Sequence, residues 1–88
     1  TVEASTAYDV NDLGIAVGEG HGLAFLFVGS EAFRLAPLVQ NGTGWNLTRA
    51  WSINNDGWIV GEGTLQGKTL GFLLTPISAH TMAKIAAR

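Results

Sequence analysis

The chain contains the same stretch of sequence twice. Residues 7–20 read AYDVNDLGIAVGEG, residues 50–63 read AWSINNDGWIVGEG, and the two align without a gap at an offset of 43 residues. A period of about 40 to 45 residues is typical of four-stranded propeller blades and of other stacked units. One such unit cannot bury its apolar surface alone, so neighbouring units must pack on one another. The repeat therefore restricts the chain to an architecture of equivalent, mutually packed units.

Composition favours compact β structure. Of the 88 residues, 14% are charged and 12 are glycine, whereas globular domains have about 25% charged residues. A hydrophobic content of 47% excludes a disordered chain, which needs low hydrophobicity and high charge. The net charge of -2 with five basic residues provides no basic surface for nucleic acid. No transmembrane segment is predicted, because the apolar run Leu23–Val28 is far shorter than the roughly 20 residues of a spanning helix.

Turn residues divide each repeat into short strands. Asn11 and Gly14 in the first repeat, and Asn54 and Gly57 in the second, suit hairpin turns because Asn and Gly tolerate left-handed backbone conformations. The third strands of the two repeats match at an offset of 47 residues instead of 43. Because insertions belong in loops, we expect the additional residues to lengthen the loop over 63–68. Strands are predicted over 7–10, 15–19, 23–28, 32–35, 45–53, 58–62 and 69–75.

The predicted fold class is all-β, with two tandem antiparallel β-meander repeats that resemble blades and form an incomplete propeller-like or a stacked-sheet architecture. The first repeat spans residues 1–39 with its motif at 7–28, the second spans 40–77 with its motif at 50–75, and 78–88 is a tail. Ser78 is a suitable N-cap, and Met82, Ile85 and Ala86 share one side of a helix, so a short C-terminal helix is predicted.

The third strand of each repeat is apolar on both faces. Alternate residues of a strand point to opposite sides, so Phe25 and Phe27 share one face of the first repeat, and Phe72 and Leu74 share its counterpart in the second. A sheet that is apolar on both sides must be covered on both sides. Two units cover one face of each other and leave two outer faces without cover. Each buried Leu or Phe is worth about 1.5 to 3 kcal/mol, and a small domain has a margin of roughly 5 kcal/mol. We therefore expect the chain to be stable only with further copies of itself or with another protein.

The two repeats resemble a known family. The unit Ala-x-x-Ile-Asn-x-x-Gly-x-Ile-Val-Gly, followed by a strand with Ala-Phe-Leu, is similar to the bacterial extracellular repeat called the HAF family. Residues 44–76 carry the resemblance most fully, and residues 7–26 repeat it. The matching residues are Ala7, Val10, Asn11, Gly14, Val17, Gly18, Ala24, Phe25 and Leu26, and then Ala50, Ile53, Asn54, Gly57, Ile59, Val60, Gly61, Phe72 and Leu73.

The resemblance implies an exported protein, in the periplasm or outside a bacterial cell, that is built from repeats and has a non-enzymatic role. It transfers no catalytic residues. The chain starts without an initiating Met and without a charged and apolar leader, so we expect it to be a mature product or part of a longer one. The absence of cysteine excludes a disulfide framework and a thiolate metal site.

Candidate chemistry is sparse. Glu19 and Glu62 occupy equivalent positions and resemble the acid and base of a glycoside hydrolase, but the simpler interpretation is two solvated strand ends. The Asn and Asp residues of the turns lack the acidic spacing of a calcium loop, and His21 and His80 have no second ligand at metal-binding spacing. No catalytic residue, cofactor or metal is predicted, and the chain is not expected to be an enzyme.

Two functions from different classes fit these observations. The first is a structural or protein-interaction subunit that completes its sheets by self-assembly or by docking on a larger complex. The second is a small module that binds carbohydrate or another ligand through exposed Trp and Asn residues. Trp45 lies in a Gly-rich loop and is the tryptophan expected to be exposed, whereas Trp51 and Trp58 replace Tyr8 and Ile15 and are expected to pack. The partner-binding residues predicted from these patterns are Trp45, Phe25, Phe27, Phe72 and Leu74.

Overall fold

The computed structural model describes residues 5–40, 44–75 and 83–87, with the backbone alone at residues 40 and 83–87. Most of these residues form strands, and the only helical segment among them is a single 3₁₀ turn at Ala36–Leu38. The prediction of an all-β fold is therefore confirmed. The strands in this part of the chain are β1 Ser5–Val10, β2 Ile15–Gly20, β3 Leu23–Val28, β4 Glu31–Arg34, β5 Val39–Gln40, β6 Trp45–Ile53, β7 Ile59–Leu65, β8 Lys68–Thr75 and β9 Ala83–Ala87.

The strands form two sheets, one from each repeat. The first sheet has the order β1-β2-β3-β4 and is an antiparallel meander. The second has the order β5-β9-β8-β7-β6. Within it, β6 to β9 repeat the antiparallel meander, and β5 pairs with β9 in parallel at the outer edge. The segment that links the repeats thus contributes a short strand to the second sheet.

The C-terminal segment is a strand where the sequence pattern predicts a helix. Ile85 and Ala86 lie in β9, where Ile85 pairs with Leu74 and Ala86 pairs with Leu73. This pairing gives the second repeat the fourth strand that β4 provides in the first. A short helix has little stability of its own, whereas strand pairing satisfies the open backbone edge of β8. The predicted helix start, from Ser78 to Met82, lies outside the described residues.

The first turn of each repeat is built in the same way. The Asn11 Oδ1 atom accepts hydrogen bonds from the backbone N–H groups of Leu13 and Ile15, both at 3.0 Å. The Asn54 Oδ1 atom accepts the equivalent bonds from Asp56 and Trp58, at 3.0 and 2.9 Å. The glycine of each turn has a positive φ, 80° at Gly14 and 85° at Gly57, which glycine adopts without a steric penalty. All four residues predicted to form turns lie in these two hairpins.

The second turn of each repeat is a two-residue hairpin turn, and here the predicted loop over 63–68 is wrong. His21 and Gly22 both have positive φ in the first repeat, and Gln66 and Gly67 do in the second, as a type I′ turn requires. The four additional residues lengthen β7 and β8 instead of the loop, since Thr64 pairs with Thr69 and Leu65 with Lys68. The two additional residue pairs between β7 and β8 provide backbone hydrogen-bond partners within the protein, whereas the backbone groups of a longer loop would depend on water.

The first strand of each sheet has a β-bulge at an equivalent position, where its backbone lies close to the second strand. The register shifts between Ala7 and Asp9 in β1, and between Ala50 and Ser52 in β6. Glycine is required beside both bulges. A Cβ atom at Gly18 would collide with the backbone oxygen of Thr6, and one at Gly61 would collide with the backbone oxygen of Arg49 and with the Phe72 ring.

The two sheets pack face to face around one apolar core. Each sheet has a valine face, which carries Val17 and Leu26 in the first repeat and Val60 and Leu73 in the second. The opposite side is the phenylalanine face, which carries Val10, Phe25 and Phe27 in the first repeat and Ile53, Phe72 and Leu74 in the second. In the molecule, the valine face of the first repeat packs on the phenylalanine face of the second. The core residues are Val17, Ala24, Leu26, Leu35, Leu47, Ala50, Ile53, Ile59, Phe72 and Leu74.

Candidate functional site

A polar seam joins the repeats along their first strands, and Asp9 is its first member. The Asp9 Oδ2 atom accepts hydrogen bonds from the Ser52 Oγ atom at 3.0 Å and from the backbone N–H of Ile53 at 2.9 Å. These bonds, the one from Ile53 first, hold the pKa of the Asp9 carboxyl below its ordinary value. The carboxylate of the first repeat therefore binds the first strand of the second repeat while it is ionised.

The two Asn turns form the next part of the seam. The Asn11 Nδ2 atom donates to the backbone oxygen of Asn54 at 3.1 Å. Beside it, the Asn55 side chain binds Asp12 twice, because its Oδ1 atom accepts from the backbone N–H at 2.8 Å and its Nδ2 atom donates to Asp12 Oδ2 at 2.9 Å. Each side chain thus satisfies polar groups on the neighbouring turn.

Aromatic and charged side chains extend the seam. The Tyr8 and Trp51 rings lie 4.9 Å apart between centroids, and the Tyr8 hydroxyl donates to Glu19 Oε1. Arg49 lies between the two repeats, with its Nε atom 2.9 Å from Glu19 Oε1 and its Nη1 atom 3.8 Å from Glu62 Oε1. The bond from Tyr8, with help from Arg49, lowers the pKa of Glu19, and the same bond raises the pKa of Tyr8.

Residues at equivalent positions of the two repeats meet along this seam. Tyr8 contacts Trp51, Asp9 contacts Ser52, Asn11 contacts Asn54 and Asp12 contacts Asn55, each pair separated by 43 residues. The repeats are therefore stacked in register, with one displaced from the other along a common direction. A stack of this kind has two different ends, because the face exposed at one end is the opposite side of the unit from the face exposed at the other.

The first end is the valine face of the second repeat. Val17 on the valine face of the first repeat is 0% exposed beneath the second repeat, whereas its equivalent Val60 is 42% exposed. Leu26 is buried, while its equivalent Leu73 is only half-buried. The Asn54 Nδ2 atom, equivalent to the donor on Asn11, has no hydrogen-bond partner within the described part of the chain.

The second end is the phenylalanine face of the first repeat. Ile53 on the phenylalanine face of the second repeat is 6% exposed, whereas its equivalent Val10 is 60% exposed. Ala50 is buried, and its equivalent Ala7 is exposed. The two ends are therefore the two halves of the interface that the repeats already make with each other.

The predicted partner-binding residues differ in their accessibility. Phe72 and Leu74 are buried between the sheets, so they contact the first repeat of the same chain instead of an exposed surface. Phe25 is also buried, and Phe27 is half-buried with its ring 6.0 Å from that of Phe25. Phe25 and Phe27 both lie on the phenylalanine face of the first repeat, but only Phe27 is partly exposed there.

The tryptophans are distributed differently from the prediction. Trp51 and Trp58 are exposed, whereas Trp45 is half-buried and packs edge-on against Phe72 with a centroid distance of 6.4 Å. Trp45 lines a groove of about 150 Å³ together with Arg34 and Asn46. Ligand sites usually measure about 300–1,000 Å³, so this groove is small for a sugar. Carbohydrate binding stays a prediction.

The remaining candidate residues make structural contacts. Glu19 and Glu62 both lie beside the Arg49 guanidinium. The lowered pKa of Glu19 is the opposite of the raised carboxyl pKa that general acid catalysis needs. His21 occupies the first position of a hairpin turn, and His80 lies outside the described residues. Across the described ranges, no three His, Asp or Glu side chains are grouped closely enough to hold a metal ion.

Sequence reasoning missed the polar seam. Asp9, Asp12, Ser52 and Asn55 have no motif of their own, and Arg49 has no equivalent cation in the first repeat, where Thr6 takes its place. The offset itself was the available signal, because in-register stacking places equivalent residues of successive units opposite one another.

No family model, curated protein or solved structure matches this chain. In the part of the chain that the structure describes, no helix is long and apolar enough to cross a membrane.

Proposed function

We propose that the chain is a non-catalytic structural or protein-interaction subunit, which completes its sheets by self-assembly or by docking on a larger complex. Its surface for partners consists of the two open faces, the valine face of the second repeat and the phenylalanine face of the first. The proposal includes the HAF-type extracellular repeat family as the class to which the chain belongs, and export to a bacterial periplasm or cell exterior as its location.

The contrast between equivalent residues carries this proposal. Val60 and Val10 are 42% and 60% exposed, and their equivalents Val17 and Ile53 are 0% and 6% exposed. The same apolar position is thus covered in one repeat and open in the other. Monomeric proteins rarely leave large contiguous apolar patches open to water, and such patches typically mark protein interaction sites.

The polar features support the same function. Charged groups of the seam are bonded across the repeats, since the Asp9 carboxylate accepts from the Ser52 hydroxyl and the Arg49 Nε atom donates to Glu19. Such contacts fix the register of two packed units, and they lower the pKa of Asp9 and Glu19, which favours carboxylates that bind and not carboxyls that donate a proton. The seam is therefore suited to holding units in line.

The native mass and the accessibility of the open faces test the proposal. We expect light scattering after size exclusion to show a folded chain that associates as its concentration rises, and we expect a hydrophobic fluorescent dye to bind the dilute chain. Circular dichroism measures whether the dilute chain is folded, and a chain that folds only as it associates also supports the proposal. A folded monomer that stays monomeric and excludes the dye would contradict the proposed function, because its faces would then need no partner.

A further inference from the structure

We propose that the partner at the open faces is a second copy of this chain, docked head to tail, so that the valine face of the second repeat in one copy covers the phenylalanine face of the first repeat in the next. This inference rests on the proposed function and names the partner, the two faces and their order. The contact between copies would then reproduce the contact between the two repeats inside one chain.

The apolar residues at the two ends support this geometry. On the open valine face, Val60 and Leu73 match Val17 and Leu26, which the second repeat covers inside the chain. On the open phenylalanine face, Val10 and Ala7 match Ile53 and Ala50, which provide that cover. Each open face therefore carries apolar residues at the positions that form one half of the internal interface, and the complementary half lies at the other end of the molecule.

The Asn turns add a directional hydrogen bond. Inside the chain, Asn11 Nδ2 donates to the backbone oxygen of Asn54. Among the described residues, the donor without a partner at one end is Nδ2 of the exposed Asn54. The equivalent acceptor at the other end is the backbone oxygen of Asn11, a residue that is 8% exposed, and this oxygen already accepts from the Gly14 N–H at 3.1 Å. Head-to-tail docking brings this donor and this acceptor together as in the internal contact, whereas docking of two identical faces does not reproduce that pairing.

Two contacts of the internal interface do not carry over. The position of Asp9 is held by Ser52 in the second repeat, and the position of Arg49 is held by Thr6 in the first. A contact between copies thus has neither a carboxylate in the role of Asp9 nor a cation in the role of Arg49. We therefore expect association between copies to be weaker than packing within the chain, and to depend on protein concentration.

The proposed contact is heterologous, since it joins two different faces. A heterologous contact leaves one face of each kind open in every dimer, so further copies add until the ring closes or a filament grows. This property separates the proposal from a two-fold dimer, in which one face binds its own copy and assembly stops at two chains.

Two charge substitutions and their mixture test the order of the faces. Val60→Asp places a carboxylate on the valine face of the second repeat, and Val10→Asp places one on the phenylalanine face of the first. Val28→Asp is the matched control, because Val28 is 41% exposed against 42% for Val60 and lies on neither open face. Circular dichroism verifies that all three variants are folded, and native mass is measured for each variant and for an equimolar mixture of Val60→Asp with Val10→Asp.

Head-to-tail docking predicts one pattern. Each single variant weakens association on the order of a hundredfold, because a buried carboxylate without a partner is costly. The Val28→Asp chain associates as the original chain does. The equimolar mixture recovers a complex that stops at two chains, since each variant retains the face that the other has lost.

Other patterns overturn the inference in distinguishable ways. If one variant alone loses association and the other does not, a face binds its own copy and the head-to-tail order is wrong, although the proposed function stands. Association that survives both substitutions also refutes these faces as the contact. A chain that stays monomeric but binds the hydrophobic dye overturns self-docking and leaves the larger complex as the partner, whereas a monomer that excludes the dye overturns both proposals.

Discussion

The side chain of Asp9 in the first repeat accepts two hydrogen bonds, and both donors belong to the second repeat. It receives the backbone N–H of Ile53 and the hydroxyl of Ser52, two donors that an ionised carboxylate binds more strongly than a neutral carboxyl does. A single proton at Asp9 therefore weakens two contacts between the repeats at once. Packing of the apolar core does not involve titrating groups, so we expect the ionised residues of the seam to make the fold sensitive to acid.

The pKa of Asp9 lies below its ordinary value of 3.8 in the folded chain, which fixes the sign of a pH effect. The carboxylate stabilises the fold at pH values above about 4, and this stability is lost as the pH falls through the lower folded-state pKa. We expect the free energy of unfolding to fall in acid, and to fall less steeply in Asp9→Asn. Urea unfolding at several pH values between 7 and 2 measures both curves.

Glu19 also has a lowered pKa, so the acid loss is reduced in Asp9→Asn but is not abolished. Asp56→Asn is the matched control, because the Asp56 side chain makes no hydrogen bond to the first repeat within the described residues. Identical acid profiles for the original chain and Asp9→Asn would show that ionisation of Asp9 contributes nothing to stability.

At the scale of the element, the two Asn turns are nearly the same structure in different surroundings. Asn11 and Asn54 each accept two backbone N–H bonds within their own hairpins. Asn11 alone donates to the other repeat, and it is buried where Asn54 is exposed. Comparing Asn11 with Asn54 therefore separates the contribution of the hydrogen bonds within a turn from that of the hydrogen bond between the two turns.

Alanine at these two positions measures that difference. Both Asn11→Ala and Asn54→Ala lose the bonds within the turn, but only Asn11→Ala also loses the bond between the repeats. We expect Asn11→Ala to destabilise the chain by about 0.5–1.5 kcal/mol more than Asn54→Ala. Denaturant unfolding of the dilute chain gives the two values, and equal values would mean that the bond between the turns has no net effect.

Local chemistry explains which elements the sequence alone could predict. The hairpins at Asn11 and Asn54 follow from residues that tolerate positive φ or bond to their own backbone, so the strand boundaries beside them are predicted well. The C-terminal strand β9 has no such signal, because Ala and Lys favour helix. Only pairing with the strands on either side of it, β8 and β5, makes Ala83–Ala87 a strand. The length of the insertion predicts a longer loop and not the four added residues of β7 and β8, because length alone does not show whether inserted residues pair as strands.

At the scale of the whole molecule, the repeat predicted two packed units with apolar faces left open, but it did not predict which faces. Phe72 and Phe25 occupy equivalent positions and were both expected to contact partners, yet Phe72 lies in the core between the sheets. The direction in which one unit stacks on the next decides which side is covered, and no local pattern contains that direction. The stacking direction is also the reason why Val17 is buried and Val60 is exposed.

Val17 and Val60 test this asymmetry on the whole molecule. Val17→Ala removes two carbons from a fully covered site, so we expect it to cost about 1.6 kcal/mol in transfer free energy, with an added cavity term. Val60→Ala removes the same atoms from a site that is 42% exposed, so it should cost clearly less in the dilute chain. Both valines lie in equivalent strands, which makes the loss of β propensity common to the two variants.

The readout must follow both repeats, because the substitutions act on different sheets. The three tryptophans, Trp45, Trp51 and Trp58, all lie in the second repeat, whereas far-ultraviolet circular dichroism reports on both. Since one core joins the sheets, Val17→Ala in the first repeat should shift the tryptophan transition and the dichroism transition together, as a single cooperative unit does. Separate transitions, with the tryptophan transition unchanged by Val17→Ala, would mean that the two repeats fold independently. Packing of one repeat on the other would then not be what stabilises them.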